Sequence, residues 1–362
     1  MRVAIDAMGG DHGPDVVVPG AIQGARAYSV GIDLVGREAD LQRILTQHDT
    51  SGVDLAVLDA PETIGMDEHP AQAVRRKPRS SIAVALEAVR DGRAKGMISA
   101  GNSGAVMAAA LLILGRIPRV DRPALASFFP ALKSRTLVLD LGAVTDPKPH
   151  HLVQFAQMGT IYLEQMTGVS APTVGLLSNG EEPSKGNQLV RDAFPLLAAA
   201  PGIDFRGNVE GKDVTRGVVD IIVTDGFTGN VALKVAEGVA TLVSETVRDE
   251  VTSTLTRRLA ALTLRPAFRG VRRRLDYSET GGAALLGVNG MVVVAHGRSD
   301  ERAIMNAVGV ASRGAENDIA ATIRRRLVAA AQADEARSPS ADTTLAPPSL
   351  PQDAAMPPET AL

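Results

Sequence analysis

Gly96-Met97-Ile98-Ser99-Ala100-Gly101-Asn102-Ser103-Gly104-Ala105 decides the fold. A short apolar run ends in a small, polar, glycine-rich turn, and an apolar segment of helical length, residues 105–114, follows at once. Such a run reads as a buried strand, and the segment behind it as a helix. The same grammar recurs along the chain. Ala4-Ile5-Asp6 runs into Met8-Gly9-Gly10-Asp11-His12-Gly13-Pro14, and Leu176-Leu177 into Ser178-Asn179-Gly180-Glu181-Glu182-Pro183-Ser184-Lys185-Gly186-Asn187. Ile222-Val223-Thr224 runs into Asp225-Gly226-Phe227-Thr228-Gly229-Asn230. Strands are read at 3–6, 33–35, 55–59, 96–99, 125–129, 137–140, 173–177, 220–224 and 292–295, with helical spacing at 38–48, 81–89 and 153–166. This rhythm predicts an α/β fold whose mainly parallel sheet is covered by helices on both faces. The runs at 125–129 and 137–140 have no helix between them, so part of the sheet is expected to be antiparallel.

Composition narrows the chemistry. The absence of cysteine removes disulfides, thiolate metal sites and any acyl-cysteine intermediate. A net charge of -3 removes the bulk electrostatic case for nucleic acid, and 3% aromatic residues with no tryptophan leave little for base stacking. The chain opens straight into strand 3–6 without an apolar leader, and residues 105–114 are too short to cross a bilayer. A cytoplasmic location is the expectation. From Asp334 the sequence holds Pro339, Pro347, Pro348, Pro351, Pro357 and Pro358 among Ala, Ser and Thr. Residues 334–362 are therefore expected to be a disordered tail behind a domain of residues 1–333.

In an open parallel sheet the carboxyl ends of the strands share one edge, where ligands bind. The four turns are thus expected to converge on one cleft. Glycine admits an anion close to backbone N–H groups, and the helix behind aims its positive end at it. Such a cleft suits phosphate, with Asp6, Gly9, Gly10, Gly101, Asn102, Ser103, Gly104, Gly226 and Gly229 as binding candidates. No full Rossmann fingerprint or Walker A loop is present. His12, His150, His151 and His296 are not at metal-ligand spacing, so no metal is expected, and His296 reads as a structural hydrogen-bonding residue. Ser103 lacks a His–Asp pairing and does not read as a nucleophile.

Asp6-Ala7-Met8-Gly9-Gly10-Asp11, residues 99–105, Gly207-Asn208-Val209-Glu210-Gly211, residues 225–230, Gly287-Val288-Asn289-Gly290 and Ala295-His296-Gly297 together resemble the bacterial acyl-carrier-protein:phosphate acyltransferase family. The resemblance runs from Met1 to about Arg325, with departures at Val144, Ser178-Asn179 and Thr280. It implies a three-layer α/β/α sandwich related to isocitrate and isopropylmalate dehydrogenases and to phosphotransacetylase. It also implies a homodimer without a cofactor, acting on acyl carrier protein and inorganic phosphate. The acyl-phosphate product would feed a membrane glycerol-3-phosphate acyltransferase in phospholipid synthesis.

Phosphate attacking a thioester needs little acid–base help, because the nucleophile is already an anion and a thiolate is a tolerable leaving group. Orientation and oxyanion stabilisation must be supplied. Lys185 as cation and Asn230 as amide donor fit those roles, with Gly226, Gly229 and the Gly101–Gly104 turn as backbone donors and Asp225 orienting Lys185 or Asn230. Arg75, Arg76, Lys77 and Arg79 form a basic run, read either as a solvated loop or as the landing site for an acidic carrier protein. Val251, Leu255, Leu259 and Leu262, then Leu264, Phe268, Val271 and Leu275, form two apolar seams separated by Pro266. They predict a helical hairpin over about 251–276, decorated by Arg257, Arg258, Arg265, Arg269, Arg272, Arg273 and Arg274. Peripheral binding to an anionic membrane and dimer packing both remain open for it. The rival readings are a transferase acting on coenzyme A thioesters, or a non-catalytic membrane-associated scaffold. A decarboxylating dehydrogenase would need a carboxylate metal cluster and a nucleotide site, and neither is legible.

Overall fold

Strands apolar on both faces need cover on both, and helices provide it here. The computed structural model describes residues 1–132, 135–275 and 277–337. The first part of the chain runs β1 (Arg2–Asp6), α1 (Pro14–Tyr28), β2 (Gly31–Gly36), α2 (Glu38–Leu45), β3 (Leu55–Asp59), α3 (Pro70–Arg76), α4 (Ser81–Arg90), β4 (Gly96–Ser99) and α5 (Ser103–Ile113). The middle runs β5 (Ala124–Pro130), β6 (Arg135–Leu139), α6 (Pro149–Thr167), β7 (Thr173–Leu177), α7 (Gln188–Ala199), β8 (Asp204–Val209), α8 (Gly211–Val214) and β9 (Ile221–Val223). It closes with α9 (Gly226–Thr252), α10 (Leu255–Leu275), β10 (Ala283–Leu286), β11 (Met291–Val294), α11 (Glu301–Glu316) and α12 (Ile319–Arg337). Side-chain caps start several of these helices: Ser80 for α4, Asn102 for α5, Asn187 for α7, Asp225 for α9 and Asp300 for α11.

One sheet, ordered β3-β2-β1-β4-β11-β10-β5-β6-β9-β7-β8, divides two helical layers. On one face Val3, Ile5, Ile98, Leu139 and Val223 pack under α1, α6, α7 and α11. On the other, Ala4, Met97, Val138 and Ile222 pack under α4 and α5, with Leu233 and Ala236 of α9 against the same core. The three-layer sandwich expected from the sequence is the observed architecture.

The sheet reverses in its middle. β10 is antiparallel to both β11 and β5, and β5 is antiparallel to β6, as its helix-free connection predicts. β1 to β4 and β11 therefore point one way, and β6 to β9 the other. The expectation that all four turns share one carboxyl edge is overturned. The register shows what replaces it. Ile5, Ile98, Val293, Ala284, Ala126, Leu139 and Val223 form one row across the sheet. Asp6 and Ser99 leave that row in one direction, while Asp140 and Thr224 leave it in the other. The two carboxyl edges thus face opposite ways but begin level with each other, on either side of β10 and β5. Three strand spacings separate β11 from β6, about 14 Å.

Two further readings change. α10 runs unbroken through Pro266, and the turn of the helical pair falls at Ser253-Thr254, between α9 and α10. The side chains at 255, 259, 262, 269 and 272–275, and residue 276, lie outside the described residues. α12 carries helix into the first residues of the segment read as a tail, and 338–362 lie outside the described residues. Among the described residues no helix is long and apolar enough to cross a membrane.

Candidate active site

At the first edge, glycine serves close packing. An added Cβ at Gly9 would meet the Asp6 carboxylate and the Gly101 nitrogen at 2.6 Å, and Gly10 holds φ +88° beside Gly297. Asp6 is buried and accepts the Ser99 hydroxyl at 2.6 Å and the Met8 N–H at 3.1 Å. Burial raises its pKa above the ordinary value, against the pull of those bonds. The Gly101 N–H donates to the Ser99 oxygen at 3.0 Å. Asn102 is consumed as well: its amide donates to the carbonyls of Gly65, Met66 and Glu68, and its oxygen accepts the Ala105 N–H. Asp6 and Asn102 therefore hold turns together, and of this group Ser103 is exposed in the first turn of α5.

At the second edge the donors expected at Gly226 and Gly229 are already taken. The Gly226 N–H donates to the Val144 carbonyl at 2.8 Å, and that of Gly229 to the Asp225 carbonyl at 2.9 Å. These glycines admit α9 close to the turn after β6. A Cβ at Gly229 would overlap the Asp140 carbonyl oxygen, and one at Gly226 would lie 2.8 Å from the Val144 oxygen. At position 144 the hydrogen bonds are made by backbone, and the valine side chain packs against the core. Asp225 accepts the Thr228 N–H at 2.8 Å as the cap of α9. Among the described residues it makes no hydrogen bond to Lys185 or Asn230, contrary to the orienting role read from sequence.

What remains open is a cavity of about 370 Å³. It is lined by Asn187, Gln188 and Leu189 at the start of α7, by Asp225, Phe227 and Thr228 at the start of α9, and by Thr145 and Asp146. Among the described residues no acceptor is found for the N–H groups of Gln188, Leu189 and Phe227. Two helix N-termini with unclaimed donors thus open on one space, which the Asp146 and Asp225 carboxylates also line. Lys185 lies on the same loop, exposed beside a second cavity of about 290 Å³ with Glu181, Glu182, Glu210 and Lys212. Asn230 is exposed on α9, next to Gly142.

α9 links the two edges. Two turns beyond its start, Lys234 Nζ lies 3.0 Å from His296 Nε2, in the turn after β11, and 3.0 Å from Glu237 Oε2. Neither Lys234 nor Glu237 was read from sequence. The available signal was spacing, since Asn230, Lys234 and Glu237 fall on one helical stripe.

Elsewhere, Asp121, His150 and His151 bring their ligand atoms close together. His151 Nδ1, however, accepts the Lys148 N–H at 2.9 Å, which places the neutral ring's proton on Nε2 and leaves no free lone pair for a metal. In the basic run, Lys77 pairs with Glu68 and Arg79 with Asp59, while Arg75 and Arg76 are exposed.

The fold is a three-layer α/β/α sandwich in which two helix N-termini line one cavity. The comparisons agree. A model of the family described as "Fatty acid synthesis protein" matches residues 1–322. A phosphate acyltransferase of Geobacter sulfurreducens is 48% identical over 85% of this chain and 89% of its own. One from Herpetosiphon aurantiacus is 46% identical, covering 90% of this chain and 98% of its own. Among solved structures, a phosphotransacetylase from Streptococcus pyogenes superposes with a TM-score of 0.60 at 16% identity, over 87% of this chain and 94% of that one. The EutD phosphotransacetylase from Staphylococcus aureus gives 0.57 at 16% identity, with the same coverage, so the fold is shared. The chain belongs to the fatty acid synthesis protein family, and within it to the acyltransferases.

Proposed function

We propose that the chain transfers a fatty acyl group from acyl carrier protein to inorganic phosphate, releasing acyl-phosphate and free carrier for phospholipid synthesis. The observation that carries this reading is the cavity shared by the N-termini of α7 and α9, with the unclaimed N–H groups of Gln188, Leu189 and Phe227. Those donors and the two helix dipoles would hold a phosphate ion against the Asp146 and Asp225 carboxylates that also line the cavity, and Lys185, on the loop before α7, would have to bring its charge across from the neighbouring cavity. Asn230, one turn into α9, would donate to the oxyanion that forms as the thioester carbonyl is attacked. The glycines of both edges act as packing residues around this site.

The partners follow from the same reading. Exposed Arg75 and Arg76 would meet the acidic carrier. The Arg-rich α10 would rest on anionic lipid at the inner face of the cell membrane, near the glycerol-3-phosphate acyltransferase that consumes the product. Two chains would pair as a homodimer. Residues 1–333 act as one unit, with α9 and α10 as its helical pair. Coenzyme A thioesters are the second donor to consider, because solved phosphotransacetylases share the fold.

The test is incubation with acyl-carrier protein or acyl-coenzyme A, with and without phosphate, measuring free thiol and acyl-phosphate. Phosphate-dependent release that favours the carrier is expected. Equal use of both donors would select the second reading. Lys185→Ala and Asn230→Ala should each lower the rate roughly a hundredfold while leaving circular dichroism unchanged.

A further inference from the structure

We propose that Asp146 and Asp225 make the site choose hydrogen phosphate over sulfate, by accepting the O–H group that only phosphate carries. The inference rests on the phosphorolysis reading above and concerns the same cavity. Its starting point is a mismatch of charge. The unclaimed N–H groups of Gln188, Leu189 and Phe227 call for an anion, yet two carboxylates line the same space. An ion bringing only acceptor atoms would satisfy the first set and meet the second as like charges.

The bonding state of each carboxylate leaves it available. Asp225 caps α9, and its Oδ1 accepts the Thr228 N–H at 2.8 Å. Among the described residues its Oδ2 accepts no hydrogen bond. Asp146 is exposed on the segment between β6 and α6, and among the described residues its carboxylate makes no hydrogen bond. Among the same residues no lysine or arginine pairs with either aspartate. An ionised carboxylate accepts hydrogen bonds and donates none. One oxygen of Asp225 and both of Asp146 are therefore unfilled acceptors.

Hydrogen phosphate meets both demands. Its bare oxygens accept from the N–H groups, and its hydroxyl donates to a carboxylate in a charge-assisted O–H···O⁻ bond. Sulfate has the same tetrahedral shape but carries no proton near neutral pH. At about pH 8 both ions are mainly dianions, so repulsion by the carboxylates is common to both and cancels from the comparison. The hydroxyl is the difference left. A hydrogen bond to a charged group changes affinity by about tenfold to a hundredfold, and a site built for it penalises the ion that lacks the donor.

The experiment titrates the full chain with phosphate and with sulfate by calorimetry at about pH 8, and takes the ratio of the two dissociation constants. Thiol release from acyl-carrier protein is followed in parallel, with sulfate as a competitor of phosphate. Wild type, Asp146→Asn, Asp225→Asn and the double variant are compared, with thermal melting as the folding control. Asparagine caps a helix as well as aspartate does, so α9 keeps its start, and the new amides can donate to sulfate. Wild type should bind phosphate at least about tenfold more tightly than sulfate. The double variant should bring the ratio near unity, and each single variant should fall between. A wild-type ratio near unity, or a folded double variant that keeps the wild-type ratio, would overturn the proposal. Wild type that binds neither ion would overturn both the proposal and the phosphorolysis reading. Discrimination that the double variant loses, without any phosphate-dependent thiol release, would uphold the role of the carboxylates and overturn the phosphorolysis reading alone.

Discussion

Asp140 is a buried carboxylate that accepts four backbone N–H groups, those of Leu125, Gly142, Ala143 and Val144, at 2.7–3.2 Å. It shapes the turn on which α9 is seated. Burial nevertheless raises its pKa to about 6, although those four N–H groups pull the other way. The sign follows directly. A group that binds its proton more tightly when folded stabilises the protein fully below its unfolded pKa, and that contribution is lost as pH rises through the folded value. For Asp140 the full effect below about pH 4 is of order 3 kcal/mol, and roughly half of it remains at pH 5. Asp140→Asn removes the titration. Urea midpoints of wild type and variant should therefore converge between pH 5 and pH 8, by about 1–2 kcal/mol in stability. A gap that stays constant over that range would show that Asp140 does not titrate there.

α9 shows the same residue type doing opposite work within one helix. Gly229 lies under the Asp140 carbonyl with no room for a methyl group, whereas a Cβ at Gly238 meets nothing within 4 Å. Gly229→Ala must push α9 off the sheet, since the obstacle is backbone. It should cost roughly 3 kcal/mol or more and disturb the cavity at the helix start. Gly238→Ala should be neutral or stabilise by up to about 1 kcal/mol, the helix propensity gain alone. Thermal melting of the two variants checks the pair, and similar midpoints would refute the packing account of Gly229. Pro266 carries a related lesson: a proline deletes one helical hydrogen bond, but a helix of 21 residues continues on both sides of it.

At the scale of the molecule, α9 leaves Val231, Val235, Val239, Leu242 and Val243 exposed, at spacings of three and four. A stripe of that kind calls for apolar cover. The proposed homodimer places it at the interface, so light scattering should give twice the chain mass of 37.7 kDa. Val235→Glu with Val239→Glu should give monomers, because two charges would then be buried without partners. A double variant that remains a dimer would move the interface elsewhere. The sheet makes a second demand. β10 and β11, near the end of the chain, sit between β4 and β5. Neither half of the sheet is complete without them, and a fragment of residues 1–122 should not unfold cooperatively in urea.

Much of this was legible in the sequence because it is local. Strand runs, helix starts at Ser80, Asn102, Asn187 and Asp225, and glycine turns depend on neighbours a few residues away. The antiparallel step from β5 to β6 was equally readable, since no helix separates them. β8 and β10 were missed. β10 is the four residues Ala283-Ala284-Leu285-Leu286, whose alanines favour helix and whose direction no short string encodes. That omission hid the reversal of the sheet and suggested a single edge. The fate of each N–H group was likewise beyond the sequence. The Gly229 N–H goes to Asp225, four residues back in the same helix, but whether Val144 or a ligand takes the Gly226 N–H depends on backbone far away in the chain. Only the tertiary structure decided that Gly226 and Gly229 serve packing, that the starts of α7 and α9 keep donors to spare, and that Lys234 meets His296. Those contacts join segments far apart in the chain, and pairing of that kind is set by the sheet order rather than by any local pattern.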